Sequence, residues 1–167
     1  LIPEVLIIGL KLTAKATEIP SGVIELIAGQ RKSGIVFACV REVPFEGRTR
    51  EECAFAVRRA QPGRAGHTLI YHVYAGDWQP AGECQLELNG STIDELWASL
   101  CSQAILGTTD FENLDARIVQ HGEIARLEAD VDKLTRDHQR AKNPAQRNEI
   151  YAKLHKAKTQ LAQMREV

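Results

Sequence analysis

The sequence has no long apolar run and no recognisable targeting segment. None of its hydrophobic stretches approaches the ~20 residues that a membrane-spanning helix needs. No stretch combines the basic start, apolar middle and small-residue cleavage site of a secretory signal. We therefore expect no membrane association and a cytoplasmic location. Leu1 stands where Met is usual and an apolar strand follows within four residues, so we expect a protein whose front part precedes this sequence.

Metal and cofactor signatures are also missing. The four cysteines, Cys39, Cys53, Cys84 and Cys101, form no CxxC pair, whereas zinc sites bring their ligands in closely spaced pairs. We interpret them as buried thiols of a reducing compartment. The histidines share no ligand spacing either, and we expect neither a metal nor a cofactor.

Sequence signatures of catalysis are equally scarce. Gly63 and Gly66 are too few for a phosphate-binding loop and lead into a strand rather than a helix. A metal-dependent nuclease needs carboxylates beside a lysine at a strand end, and Lys11 has only the more distant Glu4 and Glu18. We predict no catalytic residue. A nuclease completed by a preceding segment is the third-ranked interpretation.

The front part predicts a small α+β domain over residues 1–110. Apolar and alternating stretches predict five strands, and spacings of three and four predict two helices, the first ending at Gly29 and the second capped by Ser91 or Thr92 with Glu95. Short loops between neighbouring strands favour a mostly antiparallel sheet with helices on one face. A polar turn is expected over residues 44–50. The predicted strands are 5–13, 35–40, 53–57, 68–74 and, half-exposed at an edge, 84–88.

The tail, residues 111–167, predicts an antiparallel helical hairpin of coiled-coil character. Pro144 favours an end to the first helix at Asn143 and can itself open the second. The alternative is one interrupted helix that pairs with another molecule. Apolar residues at spacings of three and four form the predicted interface, through which the protein would dock to a partner protein or to itself: Ile124, Leu127, Val131, Leu134, Ile150, Leu154 and Leu161.

The tail also carries a modest basic excess. From Val119 onward, 10 Lys and Arg stand against 7 Asp and Glu, although the whole chain has a net charge of −1. Converging cations are the usual requirement for phosphate binding, and a solvated helix looks much the same. The alternative function is therefore a nucleic-acid-binding accessory protein whose contacts are Arg140, Lys142, Arg147, Lys153, Lys156 and Lys158.

Two tail segments, 124–128 (IARLE) and 142–154 (KNPAQRNEIYAKL), carry a resemblance. They resemble the C-terminus of a family of uncharacterised bacterial proteins, domain of unknown function 4391. The stretch 7–12 (IIGLKL) resembles its central strand, and Ile19-Pro20 and 34–37 (GIVF) resemble the helix start and buried strand that follow. The chain departs from the family in starting without an N-terminal helical region and in having Gly9 where an acidic residue is frequent.

The resemblance implies a cellular setting for the protein, and it supplies no catalytic residues that could be assigned to this sequence. Such proteins are often encoded near helicases, DNA methyltransferases and restriction-type subunits. It therefore implies an accessory role in a bacterial defence or DNA restriction-modification system, with DNA or RNA contacted indirectly through those subunits. Our leading interpretation from the sequence is a non-enzymatic protein-interaction module.

Overall fold

The computed structural model describes residues 1–63 and 65–166, which form two compact units, Leu1–Asp115 and Ala116–Val167. The first unit holds the sheet and two helices. The remaining helix pair follows it in the chain. The elements in chain order are β1 (Val5–Lys11), α1 (Ser21–Gly29), β2 (Gly34–Phe45), β3 (Arg48–Ala60), β4 (Tyr71–Ala75), β5 (Gln79–Pro80), α2 (Ile93–Leu106), α3 (Leu114–Arg140) and α4 (Pro144–Arg165).

The strands pair in the order β1-β2-β3-β4, and the short β5 also pairs with β3. β1 runs parallel to β2, which is possible because α1 supplies the crossover between them. The other pairings are antiparallel. The predicted α+β class, with a mostly antiparallel sheet and a C-terminal helix pair, is confirmed.

The connection between β2 and β3 is tighter than predicted. The polar turn expected over residues 44–50 contracts to Glu46 and Gly47, whose φ angles are 49° and 74°. Two consecutive positive φ values match the two-residue hairpin turn whose twist suits flanking strands. Because the turn is so short, the strands extend to Phe45 and Arg48 and pair there.

Helices cover both faces of the sheet. The expectation that they cover only one face is therefore corrected. Ile24 of α1 packs with Phe37 of β2 in one buried cluster. On the opposite face Val36 is fully buried, and a Cβ added to Gly34 would meet the Trp97 ring of α2. The physical reason is the unbroken apolar run of β2, whose side chains alternate in direction and so require a cover on each face.

The predicted strand 84–88 is wrong, because this segment has no regular structure. The side-chain amide of Gln103 replaces the missing strand partner: the Glu87 N–H donates to its Oε1 at 2.8 Å, and its Nε2 donates to the Glu87 carbonyl at 2.9 Å. The alternating pattern at 84–88 therefore does not correspond to a strand. The backbone hydrogen bonds there are made with a side chain of α2 instead of with a neighbouring strand. The strand predicted over 68–74 begins only at Tyr71.

The two tail helices are separated near the position that the sequence predicted. α3 ends at Arg140 and α4 begins at Pro144, with Asn143 as its cap: the Asn143 side chain accepts from the Ala145 N–H at 2.8 Å. Gln120, near the start of α3, donates to the carbonyl of Met164, near the end of α4, at 3.1 Å. The two helices are therefore antiparallel. Within the described residues, no helix is long and apolar enough to cross a membrane.

Candidate functional site

A cleft of about 850 Å³ opens in the sheet unit, where β3 ends and β2 begins. Its lining is rich in cations. Arg58 and Arg59 come from the end of β3, and Arg31 and Lys32 come from the connection between α1 and β2. Asp115 is the one carboxylate in the lining that the structure describes. This cleft is termed here the basic cleft.

The two arginines of β3 reach the basic cleft from different sides of the sheet. They are consecutive residues of a strand, so their side chains start from opposite faces. Arg58 lies on the α1 side, where its Nε donates to Glu25 at 2.6 Å. Arg59 lies on the α2 side, where its terminal nitrogen donates to Asp115 at 3.1 Å. Each guanidinium is thus held in place by one carboxylate.

An aromatic ring completes one wall of the basic cleft. The Arg58 guanidinium carbon lies 4.0 Å from the centroid of the Tyr71 ring. Tyr71 is the first residue of β4 and pairs with Ala60, so it stands on the same face as Arg58. The ring remains 42% exposed. The pair, termed here the Arg58–Tyr71 platform, stacks one cation against one aromatic ring in the cleft lining.

The sequence interpretation missed the basic cleft. Its local signal is two basic doublets, Arg31-Lys32 and Arg58-Arg59, each beside a loop. They are separated by 26 positions or more, and only the pairing of β2 with β3 brings the two loops to the same end of the sheet. Doublets of this kind are common on solvated surfaces, so spacing alone does not distinguish them.

A second feature is the outer edge of β1. The Glu4 carbonyl accepts from the Gly34 N–H at 3.0 Å, and the Leu12 N–H donates to the Val40 carbonyl at 2.8 Å. Backbone direction alternates along a strand, so even-numbered residues turn their backbone groups toward β2. The outward-facing set is Val5, Ile7, Gly9 and Lys11. Among residues 1–63 and 65–166, no strand pairs with this edge.

A row of apolar side chains lies beside this edge, on the α1 side of the sheet. Leu6, Ile8 and Leu10 pack partly against the core cluster and stay half-buried. On α1, Glu25 faces Arg58 on β3, and Val23 lies about 200° away around the helix, at 100° per residue. Val23 therefore lies on the side of α1 turned away from β3, Leu26 lies about 60° from Val23 around the helix, and both are exposed, Leu26 by 66%. We call the outer edge of β1 together with these five apolar side chains the edge groove.

The predicted interface residues of the tail differ in how deeply they are buried. Leu127, Leu154 and Leu161 are buried, and Ile124, Val131, Leu134 and Ile150 are half-buried. The contact between the His138 and Tyr151 rings sets an antiparallel register that brings Leu127 close to the level of Leu161. These side chains therefore face the space between the two arms. A partner that approached the hairpin from outside would meet exposed residues such as Val119 and Tyr151 instead.

The six predicted nucleic-acid contacts are all exposed, but they do not converge. Arg147 donates to the Ala141 carbonyl at 2.9 Å, and Lys153 pairs with Glu149 at 3.1 Å. At 100° per residue, Lys158 lies about 140° around α4 from Lys153 and about 160° from Lys156. Arg140 and Lys142 lie at the turn, and the set as a whole is Arg140, Lys142, Arg147, Lys153, Lys156 and Lys158. The α4 cations therefore do not form one compact patch.

One family matches this chain along almost all of its length. The model of the family described as "Domain of unknown function (DUF4391)" matches residues 1–161. The chain belongs to this family. The match includes both compact units, so the basic cleft and the edge groove lie in the family region, as does α4 up to Leu161. No curated protein and no solved structure matches the chain.

Proposed function

We propose that this chain is a non-enzymatic interaction module that docks an extended segment of a partner protein in the edge groove. The observation that carries the proposal is the unpaired outer edge of β1, a strand of 7 residues at the end of the sheet order. Proteins usually protect such an edge with charges, bulges, proline or a covering element. Here the four outward-facing residues include one charged side chain, Lys11.

The backbone of the edge groove supports strand addition. Val5, Ile7, Gly9 and Lys11 each turn one N–H and one C=O outward, so a docked segment can continue the sheet with the hydrogen bonds of a regular ladder. Main-chain bonds of this kind supply affinity in strand-addition complexes, and pockets for alternate side chains supply specificity. Ile7 is 58% exposed, which leaves the middle of the edge accessible.

The side chains of the edge groove define the partner. A docked strand would place every second side chain over the space between β1 and α1, against Leu6, Ile8 and Leu10 and toward Val23 and Leu26. At one end of the edge, the Lys11 side chain is 70% exposed, and its only ion pair within the described residues is a 4.0 Å contact to Glu42. The partner segment therefore has apolar residues at alternate positions and a carboxylate that reaches Lys11.

The family resemblance supplies the cellular setting of the proposal. We propose that the partner is a protein subunit of a bacterial defence or DNA restriction-modification system, such as a helicase or methyltransferase subunit. The docked chain would contact DNA or RNA through that subunit. The outer face of the helical hairpin is a further docking surface for such a subunit or for a second copy.

The edge groove can be tested with matched variants of one residue. Gly9→Pro removes an outward N–H, and proline is tolerated at edge-strand positions whose N–H faces solvent. Gly9→Ala keeps the N–H, and its added Cβ meets no atom within 4 Å. Peptides of about ten residues selected from a random display library should show alternating apolar residues and an acid. They should bind the natural chain and Gly9→Ala but lose at least tenfold in affinity for Gly9→Pro.

A second pair of changes addresses the other wall of the edge groove. Val23→Glu with Leu26→Glu alters exposed helix positions and should weaken the same peptides without lowering the melting temperature. Selected peptides that bind Gly9→Pro and the Val23/Leu26 variant as well as the natural chain would overturn the proposal. The remaining possible occupant of the edge groove is a second copy of this chain, and light scattering tests for it. A dimer that Gly9→Pro converts to a monomer would assign the edge to that second copy.

A nucleic-acid-binding accessory function through the hairpin is the second candidate. The observation in its favour is the exposure of all six predicted cations. Binding through them should weaken with salt by roughly 0.7 to 0.9 log units per log unit of salt for each phosphate contacted. Lys153→Glu, Lys156→Glu and Lys158→Glu together should abolish it. Unchanged binding after these changes would exclude α4 as the contact surface.

A further inference from the structure

We infer that the basic cleft binds a nucleotide-sized phosphate ester, with the phosphate held by Arg58 and Lys32 and the base placed against the Arg58–Tyr71 platform. This site is separate from the edge groove and does not depend on the proposed function. A volume of about 850 Å³ lies within the range of ligand pockets, roughly 300 to 1,000 Å³. The cleft is therefore large enough for a nucleotide-sized ligand.

The charges that line the basic cleft favour an anion. The lining contributes four cations and one carboxylate, Asp115, as described above. Two further carboxylates lie behind the cations: Glu25 accepts from Arg58, and Glu4 pairs with Arg31 at 3.5 Å. Counting all seven groups, the site keeps a net charge of about +1, and Glu4 and Glu25 are not part of the cleft lining.

Hydrogen-bond donors remain in the basic cleft after these ion pairs are formed. A guanidinium has five N–H donors in a fixed fork, which suits two oxygens of one phosphate. Within the described residues, Arg58 uses its Nε for Glu25, and both terminal nitrogens are without a hydrogen-bond partner. Lys32 is exposed and forms no ion pair within the described residues. Two cations from separate segments of the same cleft lining thus keep donors for an anion.

The carboxylates orient the arginines and also compete with the ligand. Glu25 fixes the Arg58 side chain, which is only 20% exposed, over the Tyr71 ring. The same carboxylate offsets the Arg58 charge. If the pair were purely structural, removing Glu25 would leave phosphate affinity unchanged or lower it. If Arg58 binds phosphate, removing the competing negative charge strengthens binding.

The test uses the full chain and three probes: inorganic pyrophosphate, ATP, and a fluorescein-labelled ten-nucleotide single strand of mixed sequence. Affinity is measured by calorimetry for the first two and by fluorescence anisotropy for the third, at two salt concentrations. We expect ATP or the oligonucleotide to bind at least tenfold more tightly than pyrophosphate, because only these two carry a base for the platform. Their relative affinities separate a free nucleotide from a nucleic-acid strand.

Four variants assign the binding to the basic cleft. Lys32→Gln and Arg58→Gln should each reduce affinity about tenfold, and Glu25→Gln should raise it about threefold. Tyr71→Leu should weaken ATP or oligonucleotide binding more than pyrophosphate binding. Lys15→Gln, which removes an exposed cation of the same unit outside the lining, is the matched control and should leave affinity within twofold.

The outcomes are decisive in either direction. Loss of binding in Lys32→Gln with an unchanged melting temperature supports the site even if Arg58→Gln proves unstable. No binding of any probe at millimolar concentration would overturn the inference. So would binding that Lys32→Gln and Lys15→Gln reduce equally, because that result describes a diffuse charge effect. Failure here leaves peptide docking in the edge groove untouched, since the two sites share no residue.

Discussion

Arg41 of β2 lies directly opposite Glu52 of β3 and donates two hydrogen bonds to one oxygen of its carboxylate, from Nε at 3.1 Å and from a terminal nitrogen at 2.9 Å. Arg50 donates to the other oxygen at 2.6 Å. The Arg41 guanidinium also lies over the Trp78 ring, 4.0 Å from its centroid. Glu52 is only 6% exposed, so its charge is retained because two arginines compensate it.

This arrangement predicts an acid-sensitive contribution to stability. The hydrogen bonds from Arg50 and then Arg41 hold the pKa of Glu52 below its ordinary value. The unfolded chain therefore binds a proton more readily, and the contribution is fully present above the ordinary glutamate pKa of roughly 4.3. It is lost as the pH falls through the lower folded-state pKa. Urea unfolding between neutral and acid pH should show a weaker pH dependence in Glu52→Gln than in the natural chain. Equal slopes would contradict this account.

The interface of the hairpin predicts a large core effect at Leu127. This residue is 4% exposed, and Leu127→Ala removes buried methyl groups and leaves a cavity. The free energy of unfolding should fall by roughly 2 to 5 kcal/mol. Val119→Ala, at an exposed position of the same helix, should change it by less than about 0.5 kcal/mol. Similar small losses of unfolding free energy at both positions would mean that the two helices of the hairpin do not pack through Leu127.

The cap of α2 predicts a moderate effect at Thr92. Its Oγ1 accepts from the Glu95 N–H at 3.1 Å, and the Glu95 carboxylate accepts from the Ser91 N–H at 2.6 Å. Thr92→Ala should lower the free energy of unfolding by about 1 kcal/mol, because one N–H at the helix start loses its acceptor. Ser91→Ala keeps the backbone donor and should have little effect. A thermal or urea titration of the two variants checks the difference.

Close backbone packing predicts that Gly76 does not tolerate a side chain. A Cβ at this position would overlap the carbonyl oxygen of Ala104 in α2, which belongs to the backbone and cannot rotate away. Gly76→Ala should therefore destabilise the sheet unit by about 1 to 3 kcal/mol, the usual range for overpacking. At Gly82 an added Cβ meets nothing within 4 Å, and Gly82→Ala should be close to neutral. Equal melting temperatures for both variants would contradict the packing.

The cysteines should differ in reactivity toward a thiol reagent in the folded protein. Burial raises the pKa of Cys39 to about 11 and that of Cys101 to about 12, and burial with the neighbouring Cys84 thiol raises the pKa of Cys53 to about 12. Thiolate is the reactive form, so these three should resist alkylation near neutral pH. The half-exposed Cys84 should be labelled first. Mass spectrometry after brief treatment with N-ethylmaleimide, with urea-unfolded protein as the fully labelled control, measures the order.

Local patterns in the sequence were sufficient for the elements whose causes are local. Asn143 and Pro144 end one helix and start the next because a cap and a missing N–H act within one turn. Thr92 and Glu95 start α2 for the same reason. The unbroken apolar run at 35–40 predicted a strand, and the structure covers this strand on both faces. The family resemblance, carried by such local motifs, is confirmed by the family match.

Only the tertiary structure decided which strand lies at the edge and which distant residues meet. The backbone groups of Glu87 bond to the Gln103 side chain of α2, sixteen positions away, and alternation at 84–88 alone could not indicate this contact. The basic cleft requires β2 and β3 to pair so that Arg31 and Arg58 meet at one end of the sheet. Periodicity, caps and turns act over a few residues and can be read from the chain, whereas strand order, helix placement and convergent charge depend on contacts between distant segments.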